Sequence, residues 1–278
     1  MEARSRAFRL GPLQVECLGP DEGRLVLGLP GLSANLRSFD RLAPLCAGAG
    51  LRFAALDLRG RGLSEDSGPG TYGWPSHAQD AAHAAGLLGA DRYSLVGWSM
   101  GAFVAMDLAR RRPEQVERLV LVDAAGPADQ VVERLVRASA ERLGTVYTSP
   151  NAFLELVRGL GTIEPWSEFW DAYFMYDLVE APAGVRPRTS RVAVMEDLEY
   201  GAGHDPAEFW PHLTMPVLLV RATRPMHPQL GGHLVDDEQV ARFRAAVPHA
   251  QVVDVDANHY TVATVPAALE SIVSFLSR

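Results

Sequence analysis

Residues 97–101 read Gly-Trp-Ser-Met-Gly and set Ser99 between two glycines, where an apolar run ends and a helical pattern begins. When G-x-S-x-G joins a strand to a helix, the serine occupies a strained turn that exposes its hydroxyl. The glycines relieve contacts with the neighbouring strand and helix. A buried serine in an ordinary turn would not require glycine on both sides. We therefore interpret Ser99 as a nucleophile.

His259 is the residue best placed to act as the base that a serine nucleophile requires. It follows the last apolar run, residues 250–256, and precedes a helical pattern over residues 265–277. Loops that follow parallel strands gather at one edge of the sheet. We therefore expect the imidazole of His259 to lie beside Ser99. His77 lies on a predicted helix, where a packing or surface role is expected.

Short apolar runs alternate with helical patterns along most of the chain, which is typical of βαβ units around a largely parallel sheet. The runs are almost continuously apolar, as expected of strands covered by helices on both sheet faces. The predicted strands are residues 24–29, 51–58, 93–98, 118–124, 216–223 and 250–256, after a hairpin that turns at Gly11-Pro12. The predicted helices are residues 38–48, 75–88, 100–111, 237–246 and 265–277. The fold class is thus α/β, with a mostly parallel twisted sheet.

The alternation stops between residues 127 and 212, where the sequence reads as helices joined by loops near residue 148 and at residues 180–190. A helical insertion of this length after the sixth strand is expected to form a cap over the sheet edge. We therefore predict a core of residues 1–126 and 213–278 and a cap of residues 127–212. Aromatic side chains are expected to line an apolar pocket there. The predicted pocket residues are Trp98, Trp166, Trp170 and Tyr173.

Composition limits the classes of partner. The 278 residues are 47% hydrophobic and 22% charged, a mix typical of a globular protein with a sizeable core. The formal net charge of −8, without a basic block, argues against nucleic acid or an anionic membrane surface as a partner. No apolar run reaches the roughly 18 residues of a membrane span, and the first residues lack a signal-peptide pattern. Two isolated cysteines, Cys17 and Cys46, indicate no disulfide framework, so the sequence predicts a cytoplasmic protein. We expect its partner to be a small-molecule substrate.

Motifs for cofactors are absent from the sequence. It contains neither a phosphate-binding G-x-x-x-x-G-K-[ST] loop nor a G-x-G-x-x-G pattern after the early strand. His204 and Asp205 stand together, but a metal site needs more ligands than the sequence provides around them. We therefore expect no cofactor and no metal, and interpret His204-Asp205 as part of a turn.

The order of these segments resembles the α/β-hydrolase fold family over essentially the whole chain. The similar parts are "GLPGLSANLRSFD" at 28–40, "LDLRGRGLSE" at 56–65, the "GWSMG" turn, the inserted cap and the late histidine. By this resemblance, the backbone N–H groups of Leu32 and Met100 would form an oxyanion hole. Relatives usually have His-Gly where this chain has Pro30-Gly31. That difference leaves the donors in place but changes the hydrogen bonds that support them.

The resemblance also implies a carboxylate that holds the imidazole, and two positions are open for it. Family members usually carry the acid after the strand corresponding to residues 216–223. Here Asp236 and Asp237 fall late and look like the N-cap and first-turn residues of a helix. Some branches, such as the haloalkane dehalogenases, carry the acid at an earlier strand, where this chain has Asp123, 24 residues after Ser99. We favour Asp123 and keep Asp236 as the alternative.

The resemblance implies a serine hydrolase that cleaves a small, rather hydrophobic ester or lactone through an acyl-enzyme. A serine at the nucleophile position argues against epoxide hydrolase and haloalkane dehalogenase chemistry, which use aspartate in this family. Carbon–carbon bond hydrolysis and cofactor-free oxygenation share the layout and stay open. A ligand receptor that retains the triad is the non-enzymatic alternative, and slow turnover would distinguish it.

Overall fold

The computed structural model describes residues 5–278 and contains a central sheet of eight strands. The strands are numbered in chain order, and a separate two-stranded hairpin is formed by β7 and β8. The ten strands are β1 (Arg6–Leu10), β2 (Leu13–Leu18), β3 (Leu25–Leu29), β4 (Arg52–Leu56), β5 (Tyr93–Trp98), β6 (Val116–Val122), β7 (Leu178–Ala181), β8 (Gly184–Pro187), β9 (Val217–Ala222) and β10 (Gln251–Val255). The order across the sheet is β1-β2-β4-β3-β5-β6-β9-β10.

Nine α-helices and three short 3₁₀ helices connect the strands within residues 5–278. The α-helices are α1 (Leu42–Gly48), α2 (Trp74–Leu87), α3 (Met100–Arg111), α4 (Gln130–Glu141), α5 (Pro150–Gly159), α6 (Glu168–Tyr176), α7 (Arg191–Ala202), α8 (Asp237–Ala246) and α9 (Pro266–Leu276). The 3₁₀ helices are Leu36–Phe39, Pro206–His212 and Thr261–Ala263. None of the helices in the described part of the chain is long and apolar enough to cross a membrane.

The sheet is parallel from β4 through β3, β5, β6 and β9 to β10, and antiparallel where β1 and β2 join it. This confirms the predicted α/β fold with a mostly parallel sheet. The first two strands form the predicted hairpin, with Leu10 paired to Leu13 around Gly11-Pro12. Because β5 lies between β3 and β6, the residue after it emerges near the middle of the sheet edge. That residue is Ser99.

Helices cover both faces of the sheet, which explains why the strands are apolar throughout. On β3, Leu25, Leu27 and Leu29 belong to the core that includes α2, α3 and α8. Val26 points to the other face and belongs to the core that includes α1 and α9. Successive strand residues face opposite sides, so each side chain meets a helix layer.

Two local predictions are wrong in detail. Residues 38–48 do not form one helix, because the side chain of Asn35 accepts a hydrogen bond from Arg37 N at 3.0 Å and starts a tighter 3₁₀ turn before α1. Residues 180–190 are not a plain loop, since most of them belong to the β7–β8 hairpin. Gly184 has φ +140°, and a side chain there would overlap the backbone carbonyl of Tyr147, which bonds across to Val185.

The chain between β6 and β9 holds four helices, the β7–β8 hairpin and a 3₁₀ helix. We refer to residues 127–212 of it as the insertion. One buried contact ties the insertion to the rest of the molecule: Asp197 on α7 accepts hydrogen bonds from Arg61 and from the backbone N–H of Gly73. A second is made by Tyr176 of α6, whose hydroxyl donates to Asp57 at 2.7 Å.

Candidate active site

Ser99 occupies the turn between β5 and α3 in a strained backbone conformation, with φ 57° and ψ −127°. Within residues 5–278, Ser99 and Asp123 are the two non-glycine residues with positive φ. The flanking glycines are required by close packing. A side chain at Gly97 would overlap the backbone of Gly101, and one at Gly101 would overlap the backbone carbonyl of Leu29. Strain of this kind persists where the surrounding structure enforces it, and it concentrates at functional sites.

His259 lies beside Ser99, in the loop after β10. Its Nε2 atom is 3.0 Å from the Ser99 Oγ, and its Nδ1 atom is 2.9 Å from the Asp123 Oδ2. A carboxylate only accepts hydrogen bonds, so the imidazole proton belongs on Nδ1. Nε2 is then free to accept the serine proton, which is the arrangement that a base for Ser99 needs.

Asp123 follows β6 and is held by the sheet itself. Its Oδ1 accepts a hydrogen bond from the backbone N–H of Ala222, at the end of β9, at 2.9 Å. Its side chain is only 3% exposed, and that of His259 is 7% exposed, so water does not compete for the bond between them. The structure thus brings Asp123, and not Asp236, to the imidazole.

Asp236 lies at the N-cap of α8. Its Oδ1 accepts a hydrogen bond from Gln239 N at 2.7 Å, which satisfies one of the free N–H groups at the helix start. Asp237 occupies the first turn of the same helix and pairs with Arg221 at 2.6 Å. Both positions match the structural roles that the sequence suggested for them.

Leu32 lines the same cavities as Ser99, and Met100 follows Ser99 directly in the chain, so their backbone N–H groups are the candidates for an oxyanion hole. In the described part of the chain, neither backbone N–H has a hydrogen-bond partner within the protein. Gly31 brings the loop close, since a Cβ at this position would lie 3.1 Å from the Ser99 Cβ. Met100 is the first residue of α3, where the helix dipole favours negative charge.

Arg61 supports the loop that carries Leu32. Its Nε donates to the Leu32 carbonyl at 3.0 Å, and its Nη2 donates to Asp197 at 2.5 Å. His77 Nε2 lies 2.9 Å from the same carboxylate, and all three side chains are fully buried. Burial by itself raises the pKa of Asp197, but the His77 hydrogen bond and the Arg61 charge outweigh it and lower that pKa. This cluster thus supports the loop that carries Leu32, next to Pro30 and Gly31.

Two cavities meet at Ser99. The larger has a volume of about 560 Å³ and extends between α3, α4 and α7, with Trp74, Phe103 and Val132 among its apolar walls. The smaller has a volume of about 100 Å³ and is lined by His259. Ser99 and Leu32 line both. Ser99 therefore borders both cavities.

Only part of the predicted pocket residues face these cavities. Trp98 and Tyr173 line the smaller one, and Trp98 also donates its indole N–H to the His259 carbonyl at 3.1 Å. Trp166 and Trp170 line neither. Trp166 stacks on Phe174 and donates to Asp171 at 3.0 Å, and Trp170 is 2% exposed. Both pack within the insertion: Trp170 of α6 and Trp166, which precedes α6, contact neighbouring aromatic rings.

Trp74, Phe103 and Arg142 are among the cavity residues that the sequence did not indicate. Trp74 and Phe103 belong to helical patterns that predict only core packing. Arg142 carries no local signal, because its position beside Ser99 depends on how the insertion folds. The sequence shows which residue types the chain contains, but it does not show which of them lie near Ser99 in the folded protein.

Metal-binding residue types do not cluster in the part of the chain that the structure describes: no group of three or more His, Cys, Asp or Glu side chains could hold an ion there. His204 Nδ1 donates to the Tyr200 carbonyl at 2.8 Å, and the imidazole stacks on the Tyr200 ring. Asp205 accepts from Ala207 N at 2.9 Å and starts a 3₁₀ helix. The pair is used by the local backbone.

Comparison with known proteins identifies the family to which the chain belongs. A family model described as the alpha/beta hydrolase fold matches residues 24–264. The chain therefore belongs to the α/β-hydrolase fold family. The match includes the parallel strands and the turn at Ser99, and it begins after the β1–β2 hairpin.

Individual relatives match shorter stretches. A serine hydrolase-like protein of Danio rerio is 38% identical over 131 residues, which is 45% of this chain and 40% of that protein. N-formylmaleamate deformylase of Pseudomonas putida is 45% identical over 74 residues, 26% of this chain and 28% of the enzyme. The matched stretches thus span less than half the length of these relatives. Among solved structures, E-2-(acetamidomethylene)succinate hydrolase shares the fold with a TM-score of 0.84 and 23% identity, over 100% of both chains.

Proposed function

We propose that the protein is a serine hydrolase that cleaves a small ester or lactone through an acyl-enzyme intermediate on Ser99. The observation that carries the proposal is the chain of contacts from Asp123 through His259 to Ser99, at 2.9 and 3.0 Å. Each group is held by a different parallel strand, so the three approach only in the folded sheet. The serine hydrolase-like relatives favour the same chemistry.

In the first half of the reaction, His259 Nε2 takes the hydroxyl proton as the Ser99 Oγ bonds to the substrate carbonyl carbon. The carbonyl oxygen becomes negative and accepts from the N–H groups of Leu32 and Met100. When the intermediate collapses, the bond to the leaving oxygen breaks and Nε2 returns the proton to it. Asp123 stabilises the imidazolium that exists between these two transfers.

In the second half, water replaces the alcohol. His259 removes a proton from water as its oxygen attacks the acyl carbon, and the same proton then returns to the Ser99 Oγ. The products are the free acid and the regenerated serine. No step requires an oxidant, a reductant or a further group.

The walls of the larger cavity favour a substrate with an apolar part. Trp74, Phe103 and Val136 form an apolar part of its wall near Ser99, and charged residues, among them Arg137 and Glu208, line other parts. We propose that the insertion acts as a cap, because α4 and α7 supply one wall of this cavity and the core supplies the other. Burial of apolar substrate surface there is worth about 25 cal/mol for each Å².

A p-nitrophenyl ester series from acetate to octanoate tests the proposal on wild type and Ser99→Ala. We expect wild-type turnover that is lost in the variant, and a chain-length optimum that reflects the larger cavity. Circular dichroism of Ser99→Ala checks that its fold is intact. Turnover that persists in folded Ser99→Ala would overturn the role given to Ser99.

Hydrolysis of a small amide is a second candidate, favoured by the match to N-formylmaleamate deformylase. The same groups serve it, except that His259 must protonate a leaving nitrogen. Comparison of kcat/KM for a matched formyl amide and formyl ester distinguishes the two. A higher kcat/KM for the amide would favour this second candidate over the ester.

A further inference from the structure

The smaller cavity beside His259 has one unusual wall residue. Most of its lining is apolar or uncharged, as with Val157, Ile163 and Phe174. Arg142 is the single Lys or Arg among the lining residues, and no Asp or Glu lines the cavity. A cation thus faces the space next to Ser99 without a carboxylate in the same wall.

The protein satisfies little of the hydrogen-bonding capacity of Arg142. Its Nη1 donates to the Ser139 carbonyl at 3.0 Å, at the end of α4. Arg142 follows α4 directly as its C-cap residue. Within residues 5–278, no carboxylate approaches the Arg142 guanidinium within 4.0 Å, whereas Arg137 on α4 pairs with Glu133 at 3.2 Å. Because a guanidinium has five N–H donors in a planar fork, Arg142 retains donors for another partner.

Asp177 is a buried acid whose pKa is lowered by the Arg142 charge. It does not act as a permanent counter-ion for Arg142. Its Oδ1 already accepts from the N–H and hydroxyl of Thr189, at 3.2 and 2.8 Å. Burial raises the pKa of Asp177 to about 7, and the Thr189 hydrogen bonds and the Arg142 charge offset only part of this. Near neutral pH the Asp177 carboxyl is therefore protonated in a large fraction of molecules.

We propose that Arg142 binds a carboxylate group of the substrate, so that the substrates are small esters, or amides, that carry an acid group beside the scissile bond. This assignment of a substrate class rests on the proposed function of Ser99. A planar carboxylate matches the guanidinium fork with two parallel hydrogen bonds. The cavity volume of about 100 Å³ suits a short acid group better than a long chain.

In this proposal, the two cavities bind different parts of the substrate. The smaller one holds the acid group against Arg142, and the larger one receives the apolar remainder. The scissile carbonyl lies between them at Ser99, within reach of the Leu32 and Met100 N–H groups. Since the formal net charge of the chain is −8, attraction of an anion to this site depends on a local cation.

Paired substrates test the assignment on the full chain. Monoethyl succinate is compared with ethyl pentanoate, and 3-acetoxypropanoate with butyl acetate, so that the charge lies on the acyl side or on the alcohol side. In at least one pair, wild type is expected to favour the anion, and Arg142→Gln to reduce the anion-to-neutral ratio of kcat/KM by about 10- to 100-fold, as for a hydrogen bond to a charged group. Arg142→Lys should retain part of the ratio, because the charge remains but the fork is lost.

Arg134→Gln is the matched control. Arg134 lies on α4, is exposed and lines neither cavity, so this variant changes the net charge equally. Arg134→Gln should keep the wild-type anion-to-neutral ratio of kcat/KM. Equal ratios in wild type and Arg142→Gln, or the same fall in Arg134→Gln, would overturn the assignment.

A binding measurement separates this proposal from the proposed function. Monoethyl succinate and 3-acetoxypropanoate are both tested, and at least one should raise the melting temperature of Ser99→Ala but not that of Ser99→Ala/Arg142→Gln, because only the first variant binds the anion. Absence of any shift in Ser99→Ala with both anions would contradict the role of Arg142. If the shift depends on Arg142 while wild type hydrolyses no ester, the proposed reaction fails and the anion site stands.

Discussion

In the proposed reaction, nucleophilic attack by Ser99 depends on which nitrogen of His259 carries the proton. Asp123 selects Nδ1 by accepting from it at 2.9 Å, and Ala222 N holds the other carboxylate oxygen at 2.9 Å. A neutral amide in place of the carboxylate donates instead of accepting and favours the other tautomer. The Asp123 Oδ2 atom, just after β6, thus determines whether Nε2 of His259 can accept a proton.

Asp123→Asn should lower kcat by about 10⁴ because the imidazole takes the wrong tautomer and the imidazolium loses its counter-charge. Steady-state kinetics on the best p-nitrophenyl ester measures this. Asp236→Asn is the control, since asparagine caps a helix as well as aspartate and should leave kcat unchanged. If Asp236→Asn is the variant that loses activity, the acid has been placed wrongly.

Asp177 is expected to make stability depend on pH. Burial raises the pKa of its carboxyl to about 7, above the 3.8 typical of an unfolded chain. Between these values the folded state holds a proton that the unfolded state has released, so the Asp177 contribution to the free energy of unfolding falls as pH rises. Asp177→Asn removes this titration and retains an oxygen for Thr189. Its free energy of unfolding, relative to wild type, should rise by about 2 kcal/mol from pH 5 to pH 7.

Urea unfolding at several pH values checks this difference. Glu22→Gln removes an exposed carboxylate and serves as the control. Its free energy of unfolding, relative to wild type, should not show the rise between pH 5 and pH 7 that is expected for Asp177→Asn. A flat difference for Asp177→Asn across pH 5 to 7 would show that the carboxyl is not held protonated by the fold.

The turn from β5 to α3 shows what a structural element contributes to the site. Ser99 has positive φ, and its N–H donates to the Val122 carbonyl at 3.0 Å, so the strand next to β5 helps to fix the strained turn. Gly97 and Gly101 provide the space that the turn needs against its neighbours. This part was predictable because a local pattern of residue types encodes it.

Ser99→Gly should be inactive yet more stable than Ser99→Ala. Both variants lack the hydroxyl, but only glycine adopts φ 57° without a side-chain clash. The relief of strain, less the larger entropy of the unfolded glycine chain, leaves a gain of about 1 kcal/mol. Chemical denaturation compares the two. An alanine variant as stable as the glycine variant would mean that the turn stores no strain.

Other elements depend on contacts that no local pattern records. The β7–β8 hairpin has strands of four residues with Pro187 at one end, and its bridge to Tyr147 lies far along the chain. Trp166 and Trp170 were predicted to line a pocket, but whether they face a cavity or other aromatic rings depends on how the insertion packs. Arg142 likewise stands out only after the walls of the smaller cavity are assembled.

The molecule as a whole is joined across the site by buried polar contacts. Asp197 of the insertion accepts from Arg61 and from the N–H of Gly73 at 2.6 Å, and Arg61 holds the Leu32 loop. His77 lies 2.9 Å from the same carboxylate with its side chain fully buried, which places it among the packing roles expected from the sequence. The parallel sheet follows from the apolar runs, whereas this connection requires side chains from distant segments.

Asp197→Ala should lower the free energy of unfolding by about 3–5 kcal/mol, because it leaves the buried Arg61 charge without a partner. Asp21→Ala breaks the exposed Arg6–Asp21 pair and should cost at most about 1 kcal/mol. Denaturation followed by tryptophan fluorescence measures both. Equal costs would show that the buried cluster does not join the insertion to the core.

The most direct test of the account is to label the nucleophile. A p-nitrophenyl alkylphosphonate reacts with an activated serine to form a stable Oγ–P bond and release p-nitrophenolate. We predict one adduct per chain, assigned by peptide mass spectrometry to Ser99, absent in Ser99→Ala and formed far more slowly in Asp123→Asn. A folded wild type that stays unlabelled, or a label on another residue, would contradict the proposal that Asp123, His259 and Ser99 form a catalytic unit.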